Sequence, residues 1–205
     1  VYPSFSGSFV FSELLKQSDL MPYGKFRLSW AQVGSDTDPY QLGLVYSKSK
    51  FTYPGYTIGY INNSTMPNKN LKPTKTNSFE LGLEMKFLKN RIGLDFTYYT
   101  QNSKNQIMGM ASSWTSGYNY RLINAGEIEN KGIEIALNTR PIELKDFSWD
   151  LNLNFSKNSN KVKKLVDGMD MFELEKAAWL DVQVAAKVGE NFGAIVGPDF
   201  KRNEN

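Results

Sequence analysis

Carboxylates are the side chains with the greatest potential for chemistry here, because the 205 residues include no histidine and no cysteine. That composition excludes thiol nucleophiles, Ser-His-Asp triads, His- or Cys-based zinc sites and disulfide frameworks. Glu80 and Glu84 lie four residues apart, and Asp95 follows in the next segment. Two neighbouring carboxylates can cleave a glycosidic bond when an apolar environment keeps one of them protonated. Three further acidic residues, Glu127, Glu129 and Glu134, are candidates for the same chemistry.

Aromatic residues in segments without strand periodicity are candidates for ligand contact. Residues 112–120 read Ser-Ser-Trp-Thr-Ser-Gly-Tyr-Asn-Tyr, and rings beside hydroxyls and an amide suit a carbohydrate or peptide ligand. An aromatic girdle at a membrane interface, or simple loop packing, would use the same residue types. We predict contacts with a ligand or a partner protein at Trp114, Tyr118 and Tyr120, and contacts with a partner protein that covers the loops at Tyr53, Tyr56 and Tyr60 in an earlier loop.

Charged residues give no clear sign of a metal or of nucleic acid. Asp36 and Asp38 could supply oxygen ligands to calcium, but Asp before Pro is typical of a turn, and the glycine and distal glutamate of an EF-hand are missing. The 24 basic and 21 acidic residues give a net charge of only +3, too balanced for a dedicated nucleic-acid binder. A short basic run at Lys161, Lys163 and Lys164 is expected in solvent or near lipopolysaccharide phosphates. We therefore predict no cofactor, no metal, no nucleic-acid partner and no catalysis.

The elements that must position these residues are β-strands. Apolar and polar residues alternate strictly over 79–87 and 92–98, which is the pattern of a strand with one apolar face. Lys89-Asn90 between them predicts a two-residue hairpin turn. If Phe87 pairs with Ile92, the apolar residues of both strands share one face. That register also pairs Met85 with Leu94, Leu83 with Phe96, and Leu81 with Tyr98.

The same register places Glu84 opposite Asp95 on the polar face. Lys86 and Arg91 are then close enough to offset their repulsion, and a water-filled lumen explains such residues without catalysis. Further strands are predicted at 7–15 with 25–33, at 132–137 with 147–155 across a turn at 141–146, and more weakly at 180–188 and 192–200. Residues 170–180 suggest a short helical turn.

The lengths of the connections sort by position. Those after Leu15, Leu88 and Arg140 are short, and those after Gly34, Asn102 and Asn158 are long. In an antiparallel meander alternate connections lie at the same end, so all long loops gather at one end and all short turns at the other. This sorting is typical of outer-membrane barrels, with Leu83, Leu94, Phe96, Leu151 and Leu153 facing lipid and Glu84, Asp95 and Asn152 facing the lumen.

Several sequence segments resemble segments of the barrel of SusC/RagA-type TonB-dependent transporters. They occur in the same order as in that family and cover nearly the whole chain. They are Phe9-Val-Phe-Ser-Glu-Leu-Leu, Lys25-Phe-Arg-Leu-Ser-Trp-Ala-Gln-Val-Gly, Asn70-Leu-Lys-Pro-Thr-Lys-Thr with Phe79-Glu-Leu-Gly-Leu-Glu, and Asn124-Ala-Gly-Glu-Ile-Glu-Asn-Lys-Gly-Ile-Glu followed by Asp146-Phe-Ser-Trp-Asp-Leu-Asn-Leu-Asn-Phe-Ser-Lys-Asn. The run from 124 to 158 is the most specific. One departure is the Thr after Leu71-Lys-Pro, where family members commonly have Glu.

The resemblance implies an all-β, antiparallel transmembrane barrel in the Gram-negative outer membrane, with residues 1–205 contributing about eight of about 22 strands to a single barrel domain. It implies import of oligosaccharides or peptides, driven through TonB and assisted by a SusD-like surface lipoprotein that acts as a lid. The plug domain and the terminal strands are expected to lie outside this chain, which corresponds to the later half of the barrel. The alternative is a soluble β-sandwich that binds glycans, which predicts loops of mixed length at both ends.

Overall fold

The computed structural model describes residues 2–15, 20–39, 42–51, 53–61, 64–177 and 181–199. In these ranges the chain is all-β apart from two 3₁₀ turns, Phe11–Leu14 and Trp114–Ser116. No helix among the described residues has the length and apolar character needed to cross a membrane. The strands in chain order are β1 Ser4–Phe9, β2 Tyr23–Ser35, β3 Ser47–Lys48, β4 Gly59–Tyr60, β5 Thr65–Met66, β6 Thr74–Phe87, β7 Ile92–Lys104, β8 Ile107–Ala111, β9 Tyr120–Asn124, β10 Gly126–Glu143, β11 Ser148–Leu165, β12 Met171–Lys176, β13 Gln183–Lys187 and β14 Phe192–Val196.

Six strands form one continuous antiparallel sheet among the described residues, in the order β1-β2-β6-β7-β10-β11. The sequence predicts about eight barrel strands. The two weakest predicted strands instead correspond to β13 and β14, which pair with β12 in a separate three-stranded sheet. The two long loops also contain strands: β5 near the end of the first loop forms a further sheet with β8 and β9 of the second.

The predicted hairpin register is confirmed. Phe87 pairs with Ile92, Leu83 with Phe96, and the remaining predicted pairs follow. Lys89 and Asn90 have φ of 57° and 68°, and the Arg91 N–H donates to the Leu88 carbonyl over 3.1 Å. Positive φ at both central residues is the geometry of a type I′ turn. Leu88 also has a positive φ, of 53°, so the connection between the paired strands is four residues long, 88–91, rather than the predicted two.

Two predicted boundaries are wrong. β1 ends at Phe9, because the chain enters a 3₁₀ turn in which the Phe11 ring fills the space a side chain at Gly24 would need. β10 runs past Pro141 to Glu143, because a register shift between Thr139 and Ile142 accommodates the proline. The chain then turns at 144–147.

The predicted helical turn at 170–180 is also wrong, because 171–176 is strand β12; residues 178–180 lie outside the described ranges. Phe172 is buried and Leu174 packs against the same cluster, while Met171 and Glu173 are exposed. Pairing with β13 on an alternating pattern therefore overrides local helix propensity.

The two faces of the six-stranded sheet differ in polarity. One row across it reads Phe9, Phe26, Leu83, Phe96, Ile135, Phe155, and the row beside it on the other face includes Lys25, Glu84, Asp95, Ala136 and Asn154. We call the first the apolar face and the second the polar face. The predicted lipid-facing residues all lie on the apolar face and the predicted lumenal residues on the polar face.

The apolar face has no protein packed over it in the described part of the chain. Phe155 is 54 % exposed and Leu153 is 52 % exposed. The buried apolar cluster lies elsewhere, at the end of β11, the start of β12 and the end of β13. Its members are Val162, Leu165, Phe172 and Ala186. A soluble sandwich would cover an apolar sheet face with a second sheet, so this arrangement favours contact with lipid.

We predict opposite tolerance of charge at two adjacent positions. Leu153→Arg should destabilise the full-length barrel in lipid by about 2–4 kcal/mol, because an arginine at a lipid-facing position lacks water. Asn154→Arg should cost less than about 1 kcal/mol, since position 154 lies on the polar face. Equilibrium urea unfolding in vesicles measures both, and equal losses would show that the faces are not differently solvated.

Candidate functional site

The two long loops, which span 36–73 and 105–125, leave the same end of the six-stranded sheet. The short connections at 88–91 and 144–147 lie at the opposite end. The predicted sorting of loops is therefore confirmed for these four connections. The predicted long loop after Asn158 is wrong, because β11 continues to Leu165 and only residues 166–170 precede β12. The connection between β1 and β2 spans 10–22 and is longer than the one predicted after Leu15. All predicted ligand-contact residues fall within the two long loops.

Trp114 stands at the tip between β8 and β9. It begins the turn Trp114–Ser116 and is 83 % exposed. Ser113 caps the turn, since its Oγ accepts from the Thr115 N–H over 3.4 Å. The Ser116 Oγ donates to the Ser113 carbonyl over 2.6 Å, and Gly117 closes the turn with φ of 77°. An apolar ring is thus held in solvent by a short hydroxyl-rich turn rather than by packing.

Tyr118 and Tyr120 follow on the same tip. Tyr118 is half-buried and Tyr120 is 49 % exposed. Tyr120 pairs with Ala111 in β8 and, in parallel, with Thr65 in β5 of the first long loop. The structure therefore brings Trp114, Tyr118 and Tyr120 onto one module that both loops build.

Tyr53 and Tyr56 lie in a different module, the hairpin closed by β3 and β4. They form a β-bridge with each other, with the Tyr56 N–H donating to the Tyr53 carbonyl over 2.8 Å. They are 68 % and 72 % exposed, and Tyr60 on β4 is 44 % exposed. Sequence reasoning missed Phe51, which is 83 % exposed in the same hairpin; an apolar ring inside a long loop was the available signal.

Asn124 fastens the two loops together. Its Nδ2 donates to the Lys72 carbonyl over 2.6 Å and to the Asn105 carbonyl over 3.0 Å, while its Oδ1 accepts from the Lys72 N–H over 2.8 Å. Asn68 adds a bond from Nδ2 to the Leu122 carbonyl over 3.0 Å. We call the hydrogen bonds of Asn124 and Asn68 that join the two loops the clamp. Sequence reasoning did not identify the clamp, because the backbone atoms that it joins across the loops lie about 50 residues away in the chain.

The carboxylate pair on the polar face is confirmed in register but not in its counter-charge. Glu84 lies opposite Asp95, and Arg27 from β2 reaches both, at 2.7 Å to Asp95 and 3.9 Å to Glu84. The predicted counter-charges are engaged elsewhere. Lys86 lies 5.2 Å from the Tyr23 ring centroid, and Arg91 pairs with Glu143 at 3.4 Å.

The other acidic candidates are also paired or exposed. Glu127 contacts Lys104 at 3.7 Å, and Glu129 contacts Lys163 at 3.2 Å. Asp36 is exposed, and its Oδ1 accepts from the Thr37 N–H over 2.9 Å, as in an ordinary turn. Across the described ranges no group of three or more potential metal ligands comes together.

Comparison with known proteins assigns the family. A family model described as TonB dependent receptor-like, beta-barrel matches residues 2–174. The chain belongs to the TonB-dependent receptor family. It is 31 % identical over 191 residues to TonB-dependent receptor P3 of Formosa agariphila, covering 91 % of this chain and 19 % of that protein. It is also 31 % identical over 162 residues to TonB-dependent receptor SusC of Bacteroides thetaiotaomicron, covering 76 % of this chain and 16 % of that protein.

Solved structures share the fold of this chain. The RagAB peptide transporter superposes with a TM-score of 0.77 over 92 % of this chain and 20 % of that chain, at 19 % identity. The RagAB peptide importer in its open-open state gives 0.74 over the same shares. The chain thus spans about a fifth of the length of the TonB-dependent receptors it matches.

We predict that Asn124 holds the two loops of this TonB-dependent receptor in register. Asn124→Ala removes three hydrogen bonds and leaves the Lys72 and Asn105 backbone groups without them. Lost bonds of this kind cost about 1–3 kcal/mol. Hydrogen exchange at amides in 64–73 and 105–125 should accelerate by roughly tenfold or more.

The matched control is Asn119→Ala, because that side chain is exposed and makes no hydrogen bond within the described residues. It should leave exchange in both loops unchanged, and neither variant should alter exchange in β10. Equal protection from hydrogen exchange in the Asn124→Ala variant and the wild type would show that Asn124 does not hold the two loops together.

Proposed function

We propose that this chain forms part of the barrel wall of a TonB-driven importer in the outer membrane of a Gram-negative bacterium. Family membership carries the proposal. The apolar face without a protein cover and the gathering of long loops at one end support it. Residues 1–205 would be one part of a single barrel domain, with the plug and the TonB contact supplied by other parts of the receptor.

The proposed cargo is an oligosaccharide or a peptide. A solved structure with the same fold is named a peptide transporter, and the resemblance to SusC/RagA-type transporters implies oligosaccharides or peptides. Exposed rings beside hydroxyls at the tip 112–120 suit either ligand, because a ring face stacks on apolar patches while hydroxyls fix polar groups.

The proposed partner is a SusD-like lipoprotein that closes over the loop end. The hairpin closed by β3 and β4 presents Phe51, Tyr53 and Tyr56 at 68–83 % exposure. Large exposed apolar side chains clustered in one segment mark interaction surfaces. We assign this hairpin to lid contact, and Trp114, Tyr118 and Tyr120 to contact with cargo or lid.

We propose no catalytic step for this chain. The carboxylates that would perform one, Glu84 and Asp95, share Arg27 as a counter-charge. Both carboxylates are partly exposed to solvent, and a network of charged side chains around one arginine needs no catalytic role. The polar face is better suited to lining a water-filled lumen.

We predict that replacing Trp114 and Tyr118 by Ala in the intact transporter lowers import. Uptake at subsaturating cargo should fall by roughly tenfold or more, since aromatic anchors dominate binding surfaces. Uptake of labelled oligosaccharides and peptides should be measured beside surface expression and thermal stability, both of which should stay normal, because neither ring packs in the buried cluster.

Phe147→Ala is the matched control, since this ring is also 58 % exposed but lies at the short-turn end. It should leave uptake unchanged. Normal uptake in the Trp114 and Tyr118 variant would remove their contact role, and loss of expression would assign them to packing instead.

A further inference from the structure

The polar face of β11 carries a column of uncharged side chains. We call the following set the amide ladder: Asn152, Asn154, Ser156 and Asn158. Asn154 pairs with Ala136, and Ala136 pairs with Asp95, which places the ladder on the polar face. All four side chains are exposed, and none makes a hydrogen bond within the described residues. The ladder therefore presents free donors and acceptors to whatever lies against this face.

The ladder differs from the neighbouring strands on the same face. These strands carry charges of both signs, at Lys25 and Arg27 on β2, Glu84 on β6, Asp95 on β7 and Glu134 on β10. The ladder has no charge that would select a charged group on a ligand. Each amide can donate and accept at once, and a hydroxyl can do the same. Such a column suits a ligand that itself presents donors and acceptors at regular intervals.

The spacing of the ladder matches one such ligand, an extended peptide. Two residues of a strand span roughly 6.6 Å, so this is the distance between successive ladder positions. In an extended peptide every second residue directs both its N–H and its C=O to the same side, again at intervals of about 6.6 Å. The Nδ2 of each ladder asparagine can donate to such a carbonyl while its Oδ1 accepts from the N–H. From Asn152 to Asn158 the ladder is roughly 20 Å long.

A groove runs beside the ladder and leaves room for a chain. Its volume is about 580 Å³, and Asn154 and Ser156 line one side of it. Ala136 lies at its base, and Thr97 and Glu134 lie across from the ladder. Since the residue at the base is small, an extended peptide can lie in the groove with one edge toward the ladder.

The same face lacks the platform that a sugar ligand would use. Carbohydrates stack on the faces of aromatic rings, and the only ring on the polar face of β6, β7, β10 and β11, all of whose residues are described, is Tyr99. Tyr99 lies against its neighbour Gly132, because a Cβ at Gly132 would be 2.6 Å from the Tyr99 Oη. The ring is thus packed onto the wall beside the ladder, which favours a peptide over an oligosaccharide here.

We propose that the amide ladder binds the backbone of an extended peptide that passes along the barrel wall. The inference rests on the proposed function and narrows its cargo to peptides. Contacts made through backbone groups do not depend on the peptide sequence, so the side chains of the cargo are free to vary. The ladder then serves as a track on the wall, with about seven peptide residues in contact at one time.

The test is binding of a synthetic octapeptide of alternating Ser and Ala to the full-length transporter, purified with its copurifying partners and measured by calorimetry. The ladder variant combines Asn154→Ala with Asn158→Ala. One hydrogen bond contributes roughly two- to tenfold in affinity, so the loss of two ladder amides should weaken binding by about tenfold or more. Surface yield and melting temperature should stay normal, because both side chains are exposed.

Two controls separate backbone recognition from folding and from position. The first is a chemical variant of the octapeptide in which ester oxygens replace every backbone N–H. It should bind the wild type at least about tenfold more weakly, and this comparison stays informative even if the ladder variant does not fold. The second control combines Lys157→Ala with Ser159→Ala, which lie on the same strand but on its other face, and it should leave the affinity unchanged.

Equal octapeptide affinity in the wild type and the ladder variant would overturn the inference, as would equal affinity for the peptide and its ester analogue, or no octapeptide binding at all. Weaker binding of maltohexaose, but not of the octapeptide, in the ladder variant would assign the ladder to oligosaccharides instead. Binding needs no TonB. Uptake that is independent of TonB would therefore contradict the importer proposal and leave the ladder standing, whereas unchanged octapeptide binding would remove the ladder and leave the importer standing.

Discussion

The cross-strand register of the six-stranded sheet is the constraint on which the other features depend. Because side chains alternate with a period of two, a slip of one residue would exchange the apolar and polar faces completely. The polar face itself helps to fix this register. Arg27 spans from β2 to Asp95 on β7, and Gly82 on the strand between them leaves room for it, since a Cβ at Gly82 would lie 2.6 Å from the Arg27 Nε.

Register and strand order together decide where the loops emerge. Antiparallel neighbours alternate in direction, so every second connection lies at the same end, and the long loops that carry Trp114 and Tyr56 share one end of the sheet. The sheet positions only the bases of these loops. Their upper parts are positioned by β5 pairing with β9 and by the clamp at Asn124, while the cluster around Val162 attaches the small sheet of β12, β13 and β14 to the end of β11.

Local patterns predicted the parts of the fold that are encoded locally. Alternation and the Lys89-Asn90 turn were enough to give the pairing of β6 with β7, because only a short turn separates the strands. The partner of Glu84 and Asp95 was predicted incorrectly, since β2 and β6 are joined through a loop of 38 residues and the contact of Arg27 is non-local. The clamp at Asn124 was missed for the same reason, because its partners are backbone groups that only the folded loops bring near. Residues 172–177 have helix propensity, but pairing with β13 makes most of this segment a strand.

The most direct test of this account is the solvent seen by successive residues of β6 in the full-length receptor. This segment contributes no cysteine, so single cysteines at positions 80–86 can carry spin labels in a lipid bilayer. The account predicts that collisions with molecular oxygen peak at Leu81, Leu83 and Met85, and that collisions with a water-soluble nickel complex peak at the positions between them. Accessibility without a period of two, or with the two probes reversed, would contradict the claim that one face of this sheet contacts lipid and the other contacts water.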